Sequence, residues 1–368
     1  MEKVLVTGGA GFIGRHVVDA LLKRGHQVRV FDSLIEQVHG GADRPNGLAP
    51  EAEFVAGDMR DADAVAAALK GIDSVVHLAA EVGVGQSMYA IDRYVSVNDQ
   101  GTAILFQQMI ERPVRRVVVA SSMSIYGEGL YRTQDGVAVE DAARSRMVGI
   151  GWDPVDEHGR SLIPVPTPEW KRPSLASVYA LTKYVQERLT LCVAPAYGME
   201  AVALRLYNVY GPGQALSNPY TGVLAIFASR LANGQPPLLF EDGHQRRDFV
   251  HVSDVAEAFA VSLEHPKAAG EVFNIASGQD RSVLDIARAL GRAMGRTDIE
   301  PEVTGKARTG DIRHCFADTT RAAETIGFVA KADFERGLEE LAEWVAGEEA
   351  VDRVDAARRE LEARGLVA

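Results

Sequence analysis

At 368 residues with 46% hydrophobic content, the chain is long enough to bury a large core, and chains of this size commonly fold as two lobes. Its 39 basic residues against 51 acidic ones leave a net charge of -12, which opposes attachment to nucleic acid or to an anionic membrane surface. Cys192 and Cys315 alone offer neither a disulfide framework nor a zinc spacing, no apolar run reaches the roughly 18 residues of a membrane span, and the lack of a leader pattern before Lys3 fits a reducing cytoplasm.

In chain order, residues 4–6, 27–31, 53–55, 74–78 and 116–120 read as short apolar strands separated by helical patterns. That alternation is the mark of a parallel sheet covered by helices. Residues 201–207 and 271–276 read as further strands that extend the sheet after long excursions. Residues 333–365, rich in Glu, Arg and Ala at helical spacing, read as the solvated faces of terminal helices.

Residues 7–14 read Thr-Gly-Gly-Ala-Gly-Phe-Ile-Gly between the first strand and an apolar-periodic helix. Gly8, Gly11 and Gly14, with Phe12 and Ile13 between them, let the backbone approach a pyrophosphate at a helix N-terminus. The second strand ends at Asp32, 18 residues beyond Gly14. A carboxylate there accepts hydrogen bonds from an adenosine ribose diol and repels a 2′-phosphate, so the expected cofactor is NAD rather than NADP. Asp58, after the third strand, reads either as a partner of the adenine amino group or as a turn former. The small residues of Leu78-Ala79-Ala80 either leave room for the cofactor or simply pack.

The expected architecture is therefore α/β, a Rossmann-type doubly wound parallel sheet with a smaller, sequence-interleaved α/β substrate lobe. Residues 1–207 and 248–276 are assigned to the cofactor domain, with a long insertion at 127–176, and residues 208–247 and 277–368 to the second lobe.

Tyr179 and Lys183 stand four apart in a segment with no proline between Ser174 and Ala194, so on a helix they share one face. An ammonium beside a phenol stabilises the phenolate, which fits Tyr179 to act as base and acid near neutral pH. The fifth strand runs into Ser121, Ser122 and Ser124, presenting hydroxyls at a strand's C-terminal end, where open α/β sheets hold ligands. Serines at such a position also cap turns.

Together, the glycine motif, Asp32, the serine segment and Tyr179-Ala-Leu-Thr-Lys183 resemble the extended short-chain dehydrogenase/reductase family, in its nucleotide-sugar epimerase and dehydratase branch, along nearly the whole chain. The resemblance implies that Ser122, Tyr179 and Lys183 are catalytic and that Ser33, Met59, Leu78, Ala79, Ala80 and Asn98 join the cofactor contacts. It carries the diphosphate to Arg247 and Arg308, the substrate ribose to Asp311, the pyrophosphate or sugar to Asn208, and the base pocket to Val223 and Phe240, with Val82 and Ser124 also on the substrate. Dehydratases of this branch carry an Asp-Glu pair after the catalytic Ser or Thr. Here Met123 and Ser124 stand there, which disfavours dehydration.

Between Tyr126 and Tyr179 lie 52 residues, far more than an ordinary strand-to-helix connection. Some bacterial relatives carry a cysteine-bearing insertion here that resembles a metal knuckle. This chain lacks those cysteines, so no metal is expected. The insertion and residues 213–223 resemble those of deoxysugar 4-epimerases acting on dTDP-L-rhamnose. The expectation is thus an NAD-dependent 4-epimerase of a nucleotide-diphosphate sugar, working through a 4-keto sugar, and a homodimer through a helix pair. A UDP-glucose or UDP-glucuronate 4-epimerase, a 4-ketoreductase and a non-catalytic dinucleotide sensor stay open at this point.

Overall fold

Short runs of β-branched and apolar residues build the centre of the protein. In the computed structural model, described for all residues except 40–44, 46, 143–150, 217, 219, 221, 308–309, 349–351, 353 and 368, seven strands form one sheet. Their order is Val272–Ile275, Glu200–Leu206, Arg116–Ser122, Ser74–His77, Lys3–Thr7, Gln27–Asp32 and Glu53–Ala56. Every neighbouring pair is parallel. This is the doubly wound arrangement, with all seven strands where the sequence pattern puts them.

Because both faces of a parallel sheet must be covered, its strands are apolar on both sides. One face packs under the helices Phe12–Lys23 and Val252–Glu264 through Val17, Val18, Leu21, Phe259 and Leu263. The other packs under Ala62–Ala68, Gly101–Glu111 and Val178–Ala196 through Phe31, Leu105, Phe106, Met109 and Ala194. Strand order reverses beside Lys3–Thr7, where Thr7 pairs with both Phe31 and His77, and ligands of such sheets sit outside the strand ends at that point.

The chain leaves the large sheet at Leu206 and within two residues enters a small sheet as Asn208–Tyr210. There Arg246–His251 is central, parallel to Asn208–Tyr210 and to His314–Cys315 and antiparallel to Asp280–Ser282. Helices Val223–Ala232, Val283–Ala293 and Phe334–Ala346 enclose a second core around Leu224, Phe227, Ile286, Leu290, Leu338 and Leu341.

The long connection after Tyr126 forms its own antiparallel sheet, with Leu130–Arg132 between Ala138–Val139 and Ile163–Val165. A nearly buried arginine ties it to the second lobe. Arg313 donates to Asp153 at 2.6 Å, to Glu241 at 3.0 Å and to Asp242 at 2.6 and 2.9 Å, while Glu128 accepts from the backbone N–H groups of Arg313 and His314. Buried carboxylates need such a partner, since taking a charge out of water is costly unless it is paired. Arg313→Ala is expected to destabilise the protein by about 3–5 kcal/mol, read as a lowered urea midpoint in a denaturation curve followed by far-UV circular dichroism.

Candidate active site

The glycine loop comes first because its chemistry is set by atoms it lacks. Gly11 caps the Phe12–Lys23 helix without any side-chain hydrogen bond, and no acidic residue occupies the first turn. The first N–H groups of that helix are therefore offered to an anion from outside. Gly8 has φ +69°, and a Cβ on it would come within 2.8 Å of the Ala79 backbone nitrogen. A Cβ on Gly14 would collide with the Gly8 carbonyl oxygen. The cradle fits a pyrophosphate because no side chain fills it.

At the next strand end, the Asp32 carboxylate accepts from the backbone N–H groups of Ala10 at 3.1 Å and Leu34 at 2.9 Å. It is thereby fixed to the glycine loop and faces the cleft beside Ser33, Asp58 and Met59. His39 lies 3.6 Å from the same carboxylate, and burial holds its imidazole below the ordinary value. Asp58 is ion-paired with Arg60 at 2.6 Å, and that hydrogen bond lowers its carboxyl pKa.

These groups open onto one cleft of about 1500 Å³ that runs between the two cores. Its walls carry Gly8, Gly11, Phe12, Ile13, Gly14, Leu78, Ala79 and Ala80 at one end, and Asn208, Val223, Phe240, Arg247 and Asp311 on the second lobe. Between them stand Val82, Ser122, Ser124, Tyr179 and Lys183. Two expected residues are not in this set. Arg308 lies outside the described residues. Asn98 is fully buried and does not line the cleft. A π-helical turn at Val95–Gln100 carries it, and its amide donates to the Glu81 carbonyl and the Thr182 hydroxyl while accepting from the Glu81 N–H.

The helix Val178–Ala196 is capped by Ser177, whose hydroxyl accepts from Ala180 N–H, and its buried face is polar: Thr182, Lys183, Gln186, Glu187 and Thr190. Burial pushes the Tyr179 phenol above its ordinary pKa, and the Ser122 hydroxyl acts in the opposite direction. Lys183 is parked on Gln186, its ammonium donating to Oε1 at 2.7 Å. Gln186 in turn donates to Thr102 at 2.9 Å, next to a His77 that burial drives to about 3 and keeps neutral. The ammonium thus stands one helical turn from the phenol, tethered to an amide oxygen.

On the second lobe, Arg247 is anchored on backbone carbonyls of Arg246, Arg313 and Ile312 and lies 3.6 Å from Asp311. Asn208 donates to the Asp248 carbonyl at 2.8 Å. The sequence reading placed terminal helices over residues 333–365 but missed that Val354–Ala363 lines the cleft. Ala357, Arg358 and Leu361 line the cleft, Leu361 is buried, and Arg364 stacks 4.3 Å over Tyr89, whose hydroxyl meets that of Tyr220 at 2.6 Å. A helix with a single buried leucine carries little periodic signal, so the sequence hides its position. Gln186 was also missed. Its place one turn after Lys183, on the same face, was the available clue.

A model of the NAD dependent epimerase/dehydratase family matches residues 4–145 and 162–276. The chain belongs to this family. Its cofactor is NAD, in keeping with the open glycine cradle and with Asp32. A dTDP-L-rhamnose 4-epimerase of Burkholderia thailandensis is 38% identical over 354 residues, covering 94% of this chain and 96% of that protein. A UDP-glucose 4-epimerase of Thermotoga maritima, solved with UDP-glucose, superposes with a TM-score of 0.77 at 30% identity, covering 94% of this chain and 99% of that one. A UDP-glucose 4-epimerase of Thermus thermophilus, solved with NAD, gives 0.75 at 29% identity, covering 94% and 100%. The family match is interrupted over residues 146–161, inside the long connection. Among the described residues, no helix is long and apolar enough to cross a membrane.

Burial lowers the Lys183 ammonium from its ordinary 10.5 to about 7. Between those values the unfolded chain binds a proton that the folded chain does not, so this group's contribution to stability rises with pH up to 10.5 and is least favourable below 7. Lys183→Met is expected to melt at a higher temperature than the parent at pH 6, with the difference vanishing near pH 11 as both forms of the lysine become neutral. Calorimetric scans across that range check the sign.

Proposed function

We propose that the protein interconverts the C4 configuration of a dTDP-deoxyhexose, dTDP-L-rhamnose being the leading substrate. The carrying observation is that Ser122, Tyr179 and Lys183 line one cleft together with the glycine cradle and with Arg247 and Asp311. Support for the sugar comes from the groups beside the phenol. The Tyr179 N–H donates to the Ser87 hydroxyl at 3.0 Å, which brings the 82–88 segment against the catalytic helix. Val82, Val84, Met88 and, after Ser122, Met123 face the cleft there. Apolar side chains suit the 6-methyl of a deoxyhexose better than a 6-hydroxyl or a carboxylate. The 38% identity to the Burkholderia enzyme points the same way.

In this reading Tyr179 takes the proton of the sugar 4-hydroxyl while the Ser122 hydroxyl steadies the phenolate oxygen and the sugar oxygen. Bound NAD supplies a two-electron acceptor for C4 that serves as donor on the return. Lys183 would hold the cofactor ribose, and its ammonium keeps the phenolate low in energy. Arg247 grips the diphosphate and Asp311 the ribose, while Val223 and Phe240 flank the base. The released 4-keto sugar turns between these anchors, and Tyr179 returns its proton on the other face. One acid-base group suffices because the return retraces the outward step, in agreement with the Met123-Ser124 pair where a dehydratase needs carboxylates.

Exposed Ile91, Val95 and Leu181 on adjacent helices are proposed as the homodimer face. Incubation of the purified protein with dTDP-L-rhamnose, UDP-glucose and UDP-glucuronate, without added NADPH, should yield the C4 epimer of the rhamnose derivative by NMR. Tyr179→Phe should lower kcat by roughly 10²–10⁴-fold. Turnover that demands stoichiometric NADPH would sink the epimerase reading, and activity confined to UDP-sugars would sink the rhamnose one.

A further inference from the structure

Beneath the Ser122, Tyr179 and Lys183 group lies a buried ion pair that the mechanism above leaves unused. Glu187 is fully buried, and Arg205, on the Glu200–Leu206 strand, is nearly so. Arg205 grips the carboxylate with two donors, Nη2 to Oε1 at 2.7 Å and Nε to Oε2 at 3.0 Å. Its remaining nitrogen donates to the Tyr126 hydroxyl at 2.8 Å and the Glu169 carbonyl at 2.9 Å. The third donor to Glu187 is the Ser121 hydroxyl at 2.7 Å. Ser121 is the residue immediately before Ser122, and Glu187 is one turn beyond Lys183 on the helix that carries Tyr179.

We propose that Ser121 and Glu187 are positioning residues for the reaction, the Glu187 carboxylate locking the catalytic helix against the end of the serine strand so that Ser122 stays within hydrogen-bond reach of Tyr179. Three elements meet at this one carboxylate: the Val178–Ala196 helix by covalent attachment, the Arg116–Ser122 strand through Ser121, and the Glu200–Leu206 strand through Arg205. Side chains at 179, 183 and 187 are spaced four apart and share a face, so a shift of Glu187 along or around the helix is passed on to the phenol. Backbone pairing between the two strands fixes Ser121 opposite Arg205, which leaves the helix as the element that has to be held. A buried carboxylate with three donors is a rigid tie, because losing the guanidinium leaves its charge uncompensated and losing the hydroxyl leaves an acceptor unsatisfied in the interior.

The same carboxylate acts on Lys183. Burial pulls the ammonium down, and the negative charge of Glu187 is what opposes that pull. The other titratable groups near the ammonium are Tyr179 on its own helix and His77 from the Ser74–His77 strand, which stays neutral. Arg205 faces Glu187 from the other side. Removing the carboxylate therefore both loosens the helix and favours the neutral amine.

The inference rests on the assignment of Ser122 and Tyr179 as the reacting pair, so the test runs three variants side by side on the full chain with its nucleotide-sugar substrate. Ser121→Ala keeps the Glu187–Arg205 pair and removes only the tie to the strand. Its kcat should fall roughly tenfold to a hundredfold, the loss expected for small misplacement of reacting groups, while KM stays within about twofold and the variant stays folded. Glu187→Gln should lower kcat as well and move the alkaline limb of its pH profile down by about one unit. If Glu187→Gln does not fold, Ser121→Ala decides alone. A folded Ser121→Ala with parental kcat overturns the proposal, as does a loss that appears in KM only. Tyr179→Phe separates the two levels: loss of turnover there with normal Ser121→Ala rejects the positioning role alone, whereas an active Tyr179→Phe rejects the underlying reaction scheme and this inference with it.

Discussion

The cleft depends on how closely one turn of backbone approaches the end of a neighbouring strand. Gly8 lies against Ala79 and Gly14 against Gly8, at distances that leave no room for a Cβ. That contact brings the first N–H groups of the Phe12–Lys23 helix to the strand ends at the point where strand order reverses. A diphosphate held there rests on backbone dipoles rather than on charged side chains, so the site stays narrow and its specificity is left to what surrounds it. Asp32, tied back to the same turn through Ala10, completes the cradle with a carboxylate whose direction is fixed.

Around that cradle the protein uses buried polar groups as struts. The helix bearing Tyr179 buries Lys183, Gln186 and Glu187: Lys183 is tied to Gln186 on the same helix, Gln186 to Thr102 on a neighbouring helix, and Glu187 to Arg205 on a strand. The second lobe is held to the insertion in the same manner by Arg313 and its carboxylates. Hydrogen bonds of this kind are directional and costly to leave unmade, so they fix geometry where apolar contact would allow sliding.

Much of this was legible along the chain. Seven short apolar runs mark the seven strands because a strand buried on both faces has no polar positions to blur it. Glycines at 8, 11 and 14 and the acid at 32 stand out because close approach and a ribose diol tolerate few alternatives. Asn98 reads along the chain as a ligand group, and nothing local shows that a π-helical turn carries it into a buried network with Glu81 and Thr182. The terminal helix is hidden for a different reason. Its charged composition describes the side facing water, and only Leu361 and its neighbours turn toward the cleft.

Local chemistry thus dictated the parallel sheet, the cofactor cradle and the Tyr179–Lys183 spacing, because each depends on residues a few positions apart whose geometry the backbone already constrains. Three-dimensional packing decided which polar groups face the ligand and which brace it. Lys183 rests on Gln186, Ser121 reaches Glu187, and a helix from the chain's end closes over the cleft. Those pairings join residues up to hundreds of positions apart, and their energies come from burial, which no short stretch of sequence can report.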